Sequence, residues 1–245
     1  MPLVVTPSRL PQRIDESPST VTVIDRALIE ASGSRRLVDV LQLVPGFYVG
    51  YQYNNQPTAA YHGLSDESAR RLLLLVNGQR IFQFARGAVD WNNLPIQLED
   101  IERIEVVRGP DAATYGSNAF AAVINIQTRS AAENLGLYTR VAGGNDGIAD
   151  GFFRYGGRVG PVDYALSLSS KGDNGYDNVY DDRRNNSILF LMQSQAGCCE
   201  MRYPPSHANP HYFLCPHHRR ASGAHRRAAI RDQLYLATLP NPASQ

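Results

Sequence analysis

The chain has no apolar run approaching the roughly 20 residues that a membrane-spanning helix needs. The run LLLLV, residues 72–76, holds five, the length of a buried strand. The start, MPLVVTPSRL, lacks a basic head and a long apolar stretch, so no signal peptide is expected in this sequence. No G-x-S-x-G elbow, P-loop or H-E-x-x-H helix occurs, which removes the common patterns for a nucleophile or catalytic metal. An enzyme is therefore not expected. Basic and acidic residues number 24 and 23, and that balance gives no general attraction to nucleic acid. Lysine is nearly missing too, with Lys171 the sole example, a bias that nothing structural explains.

What is present falls into three unlike parts. Residues 1–130 read as a compact α+β unit. TVTVI (20–24) alternates as a strand, and Asp25 can cap a short helix, RALIEAS, that stops at Gly33. Ser34 is placed to cap a second helix, RRLVDVLQLV, with Leu37, Val40, Leu41 and Val44 at helical spacing and Pro45-Gly46 ending it. FYVGYQY (47–53), TAAYHGL (58–64) and RLLLLVNGQRIF (71–82) follow, the last with Asn77-Gly78 as a hairpin signal.

RIEVVRGPDAATYGSNAFAAVINIQTR (103–129) then joins two strands through a Gly109-Pro110 corner. Ala112, Ala113, Gly116, Ser117, Ala119, Ala121 and Ala122 let the backbone pass close to its neighbours. Asn125 is expected to act as a hydrogen-bonding strand residue.

Residues 131–192 carry period-2 alternation. Leu135, Leu137, Thr139 and Val141 share one face; Phe153 and Tyr155 stand opposite Phe152 and Arg154; Tyr164, Leu166 and Leu168 oppose Ala165, Ser167 and Ser169. A short Gly160-Pro161 join and a long polar loop, KGDNGYDNVYDDRRNN, alternate as in a transmembrane β-barrel. A soluble antiparallel sheet gives the same alternation. Residues 193–245 lose it, and hold Cys198, Cys199, Cys215 and five of the six histidines. Their charge is +4 (six Arg against Glu200 and Asp232), whereas residues 1–192 carry −3 (18 basic, 21 acidic). An irregular tail is expected there, read out of frame or disordered.

Residues 1–192 resemble the plug domain and first barrel strands of a TonB-dependent outer-membrane receptor. The motifs, in family order, are LVVTPSRL, SPSTVTVID, LVDVLQLVPGFYV, LLLLVNGQRI and DIERIEVVRGPDAATYGSNAFAAVINIQTR. The resemblance implies an α+β plug, a small mixed sheet with short helices, followed by the first antiparallel strands of an incomplete transmembrane barrel. It implies uptake of a scarce substrate, a ferric siderophore, cobalamin or similar, at the outer membrane of a Gram-negative bacterium. The metal would belong to the substrate, and no resident cofactor is expected.

Leu3, Val4, Val5 and Thr6 resemble the TonB box, which would pair as an extended strand with TonB of the TonB-ExbB-ExbD complex. His62, Arg103, Glu105 and Arg108 are the candidate plug–barrel contacts. In the family the position of His62 often holds an arginine, which puts anchoring there in question. Tyr51, Tyr53, Phe82, Phe84 and Trp91 are candidate ligand contacts, since aromatic side chains beside polar loops suit flat ligands.

Three alternatives stand beside this reading. One is a metal site in the tail on Cys198, Cys199, Cys215, His217 and His218, although adjacent pairs fit zinc-ligand spacing poorly. Another is a free-standing periplasmic plug-like binding module. The last is a non-functional truncated product, since three strands and part of a fourth cannot close a barrel.

Overall fold

The computed structural model describes residues 3–4, 12–13, 19–52, 56–64, 71–81, 89–94, 96–109, 115–116, 119–175, 182–194, 197–203 and 212–214. At 3–4, 12–13, 194, 197–203 and 212–214 it describes the backbone alone.

Two short strands, β1 (Leu3–Val4) and β2 (Gln12–Arg13), pair antiparallel. β3 (Thr20–Asp25) feeds α1 (Arg26–Ala31), where the Asp25 carboxylate accepts the Leu28 N–H at 2.9 Å. Asp25→Ala is expected to cost about 1 kcal/mol by orphaning that donor, read as a lower denaturant midpoint at unchanged slope.

The second helix departs from the sequence expectation. Ser34 does not cap it: α2 (Leu37–Val40) begins after Arg36, whose backbone is extended (φ −116°, ψ 145°) and gives no side-chain cap. Ser34 bonds to Ser32 instead, and Arg35 and Arg36 are drawn away to carboxylates on the wall described below. A 3-10 turn, Leu41–Leu43, continues α2. Leu37, Val40, Leu41 and Val44 are buried, as their spacing predicts.

β4 (Phe47–Gln52) and β5 (Gln56–Tyr61) form a separate hairpin. β6 (Leu72–Val76), β7 (Gln79–Arg80), β8 (Ile101–Arg108) and β9 (Ala122–Thr128) join β3 in a mixed sheet of order β3-β8-β9-β6-β7. β6 runs parallel to β9, and the remaining neighbours are antiparallel. All five residues of β6 are buried, because Leu72, Leu74 and Val76 face one apolar cluster while Leu73 and Leu75 face another. A continuous apolar run is what burial on both faces requires.

The β6–β7 turn places Asn77 at φ 50° and Gly78 at φ 79°, as a type I′ hairpin demands. Asn125 is buried in β9 and its Oδ1 accepts the Gly78 N–H at 3.1 Å, so the polar residue in an apolar strand has a structural task.

Beyond the 3-10 turn Ala131–Asn134 lies a second, antiparallel sheet in sequential order: β10 (Gly136–Gly143), β11 (Ala149–Val159), β12 (Val162–Asp173), β13 (Arg183–Ser194), β14 (Gly197–Tyr203) and β15 (Tyr212–Leu214). Leu137, Phe153, Tyr155, Leu168, Ile188 and Met192 are exposed on one face, while Phe152, Arg154, Ala165, Ser167, Ser169, Ser187, Leu189 and Leu191 are buried on the other. The register sets Phe153 opposite Leu168 and Leu168 opposite Ile188, so the exposed residues form one apolar band across strands.

Two limits read from the alternation are too short. The polar loop loses residues at both ends, because Lys171–Asn185, Gly172–Arg184 and Asp173–Arg183 still pair across β12 and β13. Polar side chains on both faces hide a strand from a hydrophobicity pattern. Backbone pairing also runs past residue 192 into β14 and β15, where an irregular tail is expected. An unpaired strand edge can template its neighbour without help from side-chain alternation. The side chains of Cys198, Cys199, Cys215, His217 and His218 lie outside the described residues. Among the described residues no cluster of metal-ligating side chains occurs.

Candidate functional site

The seam between the N-terminal domain and the inner face of the wall carries most of the buried charge. It is built around a 3-10 turn, Leu98–Asp100, set just before β8. Gln97 and Asp100 close a capping box there, which fixes the turn and leaves Glu99 and Asp100 pointing acidic groups at the wall. Glu99 and Asp100 are 2% and 1% exposed, so each needs a partner.

The wall supplies them at alternate positions of its strands. Arg140 Nη1 lies 3.0 Å from Glu99 Oε1, and Lys171 Nζ lies 3.7 Å from Glu99 Oε2. Arg154, itself 4% exposed, donates to the Glu99 carbonyl at 2.9 Å and stands 3.7 Å from Asp100 Oδ1. The Ser167 hydroxyl donates to Asp100 Oδ1 at 2.8 Å, and Gln97 Nε2 donates to the Ser187 hydroxyl at 3.0 Å. Burial pushes the Asp100 carboxyl up to about 6, against the lowering pull of the Ser167 hydroxyl, Arg154 and the Gln97 N–H.

A second cluster sits on Arg35 and Arg36, just ahead of α2. Arg35 makes two 2.8 Å bonds to Asp150 with Nε and Nη2, a fork on a carboxylate. Its Nη1 is 3.6 Å from Asp173, which Arg36 also approaches at 3.3 Å. The Asp150 hydrogen bond raises the already high Arg35 pKa. Lys171 Nζ donates to the Arg35 carbonyl at 3.2 Å. Apolar contact closes the gaps, because Ala165, Leu189 and Leu191 of the wall belong to the same buried cluster as Leu94 and Ile96. Arg35→Ala is expected to lose about 1–3 kcal/mol of charge-assisted bonding. Faster amide exchange at residues 32–36, with β8 protection unchanged, is the expected signature.

The sequence-predicted contact residues have plug partners among the described contacts. Arg103 Nε lies 3.0 Å from Glu105 Oε1, on the same strand, and Gln127 Nε2 donates to that oxygen at 2.8 Å. Arg108 Nη1 donates to the Pro45 carbonyl at 3.1 Å. His62 is exposed at φ 49°, with its N–H on the Gly46 carbonyl and its ring 4.3 Å from that of Tyr61. Leu3 and Val4 pair with Arg13 and Gln12; Val5 and Thr6 lie outside the described residues.

Of the aromatic candidates, Tyr53, Phe82 and Phe84 lie outside the described residues. Trp91 is 7% exposed and belongs to the main apolar cluster. Tyr51 remains 38% exposed; its hydroxyl donates to Asp39 and the Arg36 guanidinium stacks 4.9 Å from its ring centre. Burial, then the Asp39 bond, raise its phenol well above the ordinary value.

Sequence reasoning missed Arg35, Arg36, Gln97, Glu99, Asp100 and Lys171. A signal was available for some of them: LED ahead of a strand, and cations on the polar side of the wall alternation. Nothing in the sequence said which carboxylate meets which cation.

A mixed-sheet domain is thus bound by ion pairs to the polar face of a wall whose other face is apolar, as a plug sits against a barrel wall. Residues 13–123 match the family model of the TonB-dependent Receptor Plug Domain. The vitamin B12 transporter BtuB of Vibrio vulnificus (strain CMCP6) is 36% identical over 144 residues, covering 59% of this chain and 23% of that protein. The vitamin B12 transporter of Photobacterium profundum is 35% identical over 158 residues, 64% of this chain and 25% of that one.

Among solved structures, the siderophore receptor PiuA of Acinetobacter baumannii superposes with TM-score 0.63 at 19% identity, over 81% of this chain and 27% of its own. The ferric-catecholate import receptor Fiu of E. coli K12 gives TM-score 0.59 at 19% identity, over 80% and 28%. Through residues 13–123 the chain carries the plug domain of TonB-dependent receptors. It spans about a quarter of the length of these curated relatives.

Proposed function

We propose that the chain supplies the plug and first wall strands of a TonB-coupled receptor for a scarce metal complex at the outer membrane of a Gram-negative bacterium. Residues 1–130 are the plug and residues 131–192 the first strands in this reading. The carrying observation is the seam itself: a domain held against a barrel wall by the Glu99–Asp100 and Arg35–Arg36 clusters is built to block a lumen. Likeness to proteins named vitamin B12 transporters at 35–36% identity favours a corrinoid over a ferric siderophore.

The route for force is the N-terminal strand. Leu3 to Thr6 would add to a strand of TonB, with main-chain bonds giving affinity. The β1–β2 pairing already holds Leu3 and Val4 extended, which suits that role.

The test is a chimaera in which residues 1–130 replace the plug of the Vibrio vulnificus vitamin B12 transporter, in cells lacking their own transporter. Uptake of labelled cobalamin that requires TonB supports the reading; binding without TonB-dependent uptake removes it. Val4→Pro deletes a strand N–H and is expected to lower that uptake about tenfold, the equivalent of one net hydrogen bond. Surface levels of the chimaera, measured in parallel, should not change.

A further inference from the structure

A cavity of about 40 Å³ lies in the seam, lined by Arg35, Arg36, Trp91, Lys171, Arg183 and Asn185 together with Asp173. That volume admits about two or three water-sized groups. Its lining is unusual in charge. Four cations meet one lining carboxylate, Asp173, which Arg35 and Arg36 already share. Asp150 and Glu99 serve Arg35 and Lys171 from outside, and Glu99 is divided with Arg140. Asp173 also attracts the Arg183 guanidinium, but no described residue gives that guanidinium a hydrogen bond.

A second, independent observation comes from Trp91. It is 7% exposed, it lines the same cavity, and its indole Nε1–H, a donor only, has no acceptor among the described residues. A buried donor without an acceptor gives up its hydration with no return, and the cations around it keep only part of theirs, at 31% exposure for Arg35 and 17% for Arg36. Water alone would satisfy the indole but not the charge. One small anion does both.

We propose that this cavity is a binding site for a small anion, a halide or a single carboxylate or phosphate group, bound by Arg183 and the Trp91 N–H with Arg35, Arg36 and Lys171 around it. The orphaned Asn185 Oδ1 accepts from a water that accompanies the anion. The site links α2, the loop at Trp91 and strands β12 and β13, so its occupant joins plug to wall through charge.

Trp91 is the only tryptophan in the chain, so its emission reports on the site directly. Bromide is titrated into the full chain in detergent at constant ionic strength, with methanesulfonate as the balancing anion. The expected result is saturable quenching that chloride, acetate or phosphate displaces, with a half-saturation point raised about tenfold in Arg183→Gln. Quenching that rises linearly and is displaced by none of these anions overturns the proposal, as does an unchanged half-point in a folded Arg183→Gln. If that variant does not fold, displacement on the unsubstituted chain decides alone. No arm reads transport, so its failure and that of the uptake reading are separable.

Discussion

Arg154→Ala is expected to lower the unfolding free energy of the full chain by about 3–5 kcal/mol near neutral pH. Arg154 is 4% exposed and faces Asp100, which is 1% exposed. Truncating it leaves a buried carboxylate whose remaining polar partners are the Ser167 hydroxyl and the Gln97 N–H. The loss has a pH signature.

The Asp100 carboxyl titrates at about 6, above its ordinary 3.8. A raised acid favours the folded state when protonated, a contribution fully present below 3.8 and lost as pH rises through about 6. With Arg154 present, that lost contribution is already about 3 kcal/mol, at 1.36 kcal/mol per pH unit. Without it the Asp100 pKa rises further, so Arg154→Ala should be most damaging above pH 6 and milder near pH 5. Denaturant unfolding in detergent at both pH values reads the difference. A loss equal at the two would show that Asp100 is not the group left uncompensated.

Gly156→Ala is the second large effect. A Cβ built at Gly156 would stand 1.9 Å from the Asn134 carbonyl oxygen and 2.8 Å from its carbon. Both atoms are backbone, in the turn that leads from the plug into the wall, so no side chain can swing aside. The turn must lift off β11, at a cost of about 3 kcal/mol, the upper part of the range for overpacking. Gly151→Ala on the same strand is the control, because nothing lies within 4 Å of its Cβ. It should be neutral within about 0.5 kcal/mol, as surface substitutions usually are. Equal effects at the two glycines would mean that strand propensity, not the contact with Asn134, sets the cost.

Much of the fold is legible in the sequence because local rules act alone there. Asp25 caps α1, Asn77-Gly78 makes the I′ turn, and the even–odd split of β11 and β12 gives one apolar and one polar wall face. The seam is less legible, for a physical reason. Arg103, Glu105 and Arg108 stand in a strand that the motif marks, yet their described partners are Gln127, Pro45 and each other. The carboxylates that meet the wall sit in a short turn, where burial is set by what packs above them.

Ser34 shows the same override. It has the chemistry of a cap, but Arg35 and Arg36 pair with carboxylates more than a hundred residues away in sequence, and Arg36 is extended. Trp91 suits a flat ligand by residue type, and the structure buries it in the core at 7% exposure.

The central claim is that charge pairs across the seam seat the plug on the wall. A double-mutant cycle with Asp100→Asn and Arg154→Met tests it most directly, since it isolates the interaction between one group on each side. A coupling energy of at least about 1 kcal/mol is predicted, with the double variant more stable than Arg154→Met alone. Additive losses, with no coupling, would contradict the account.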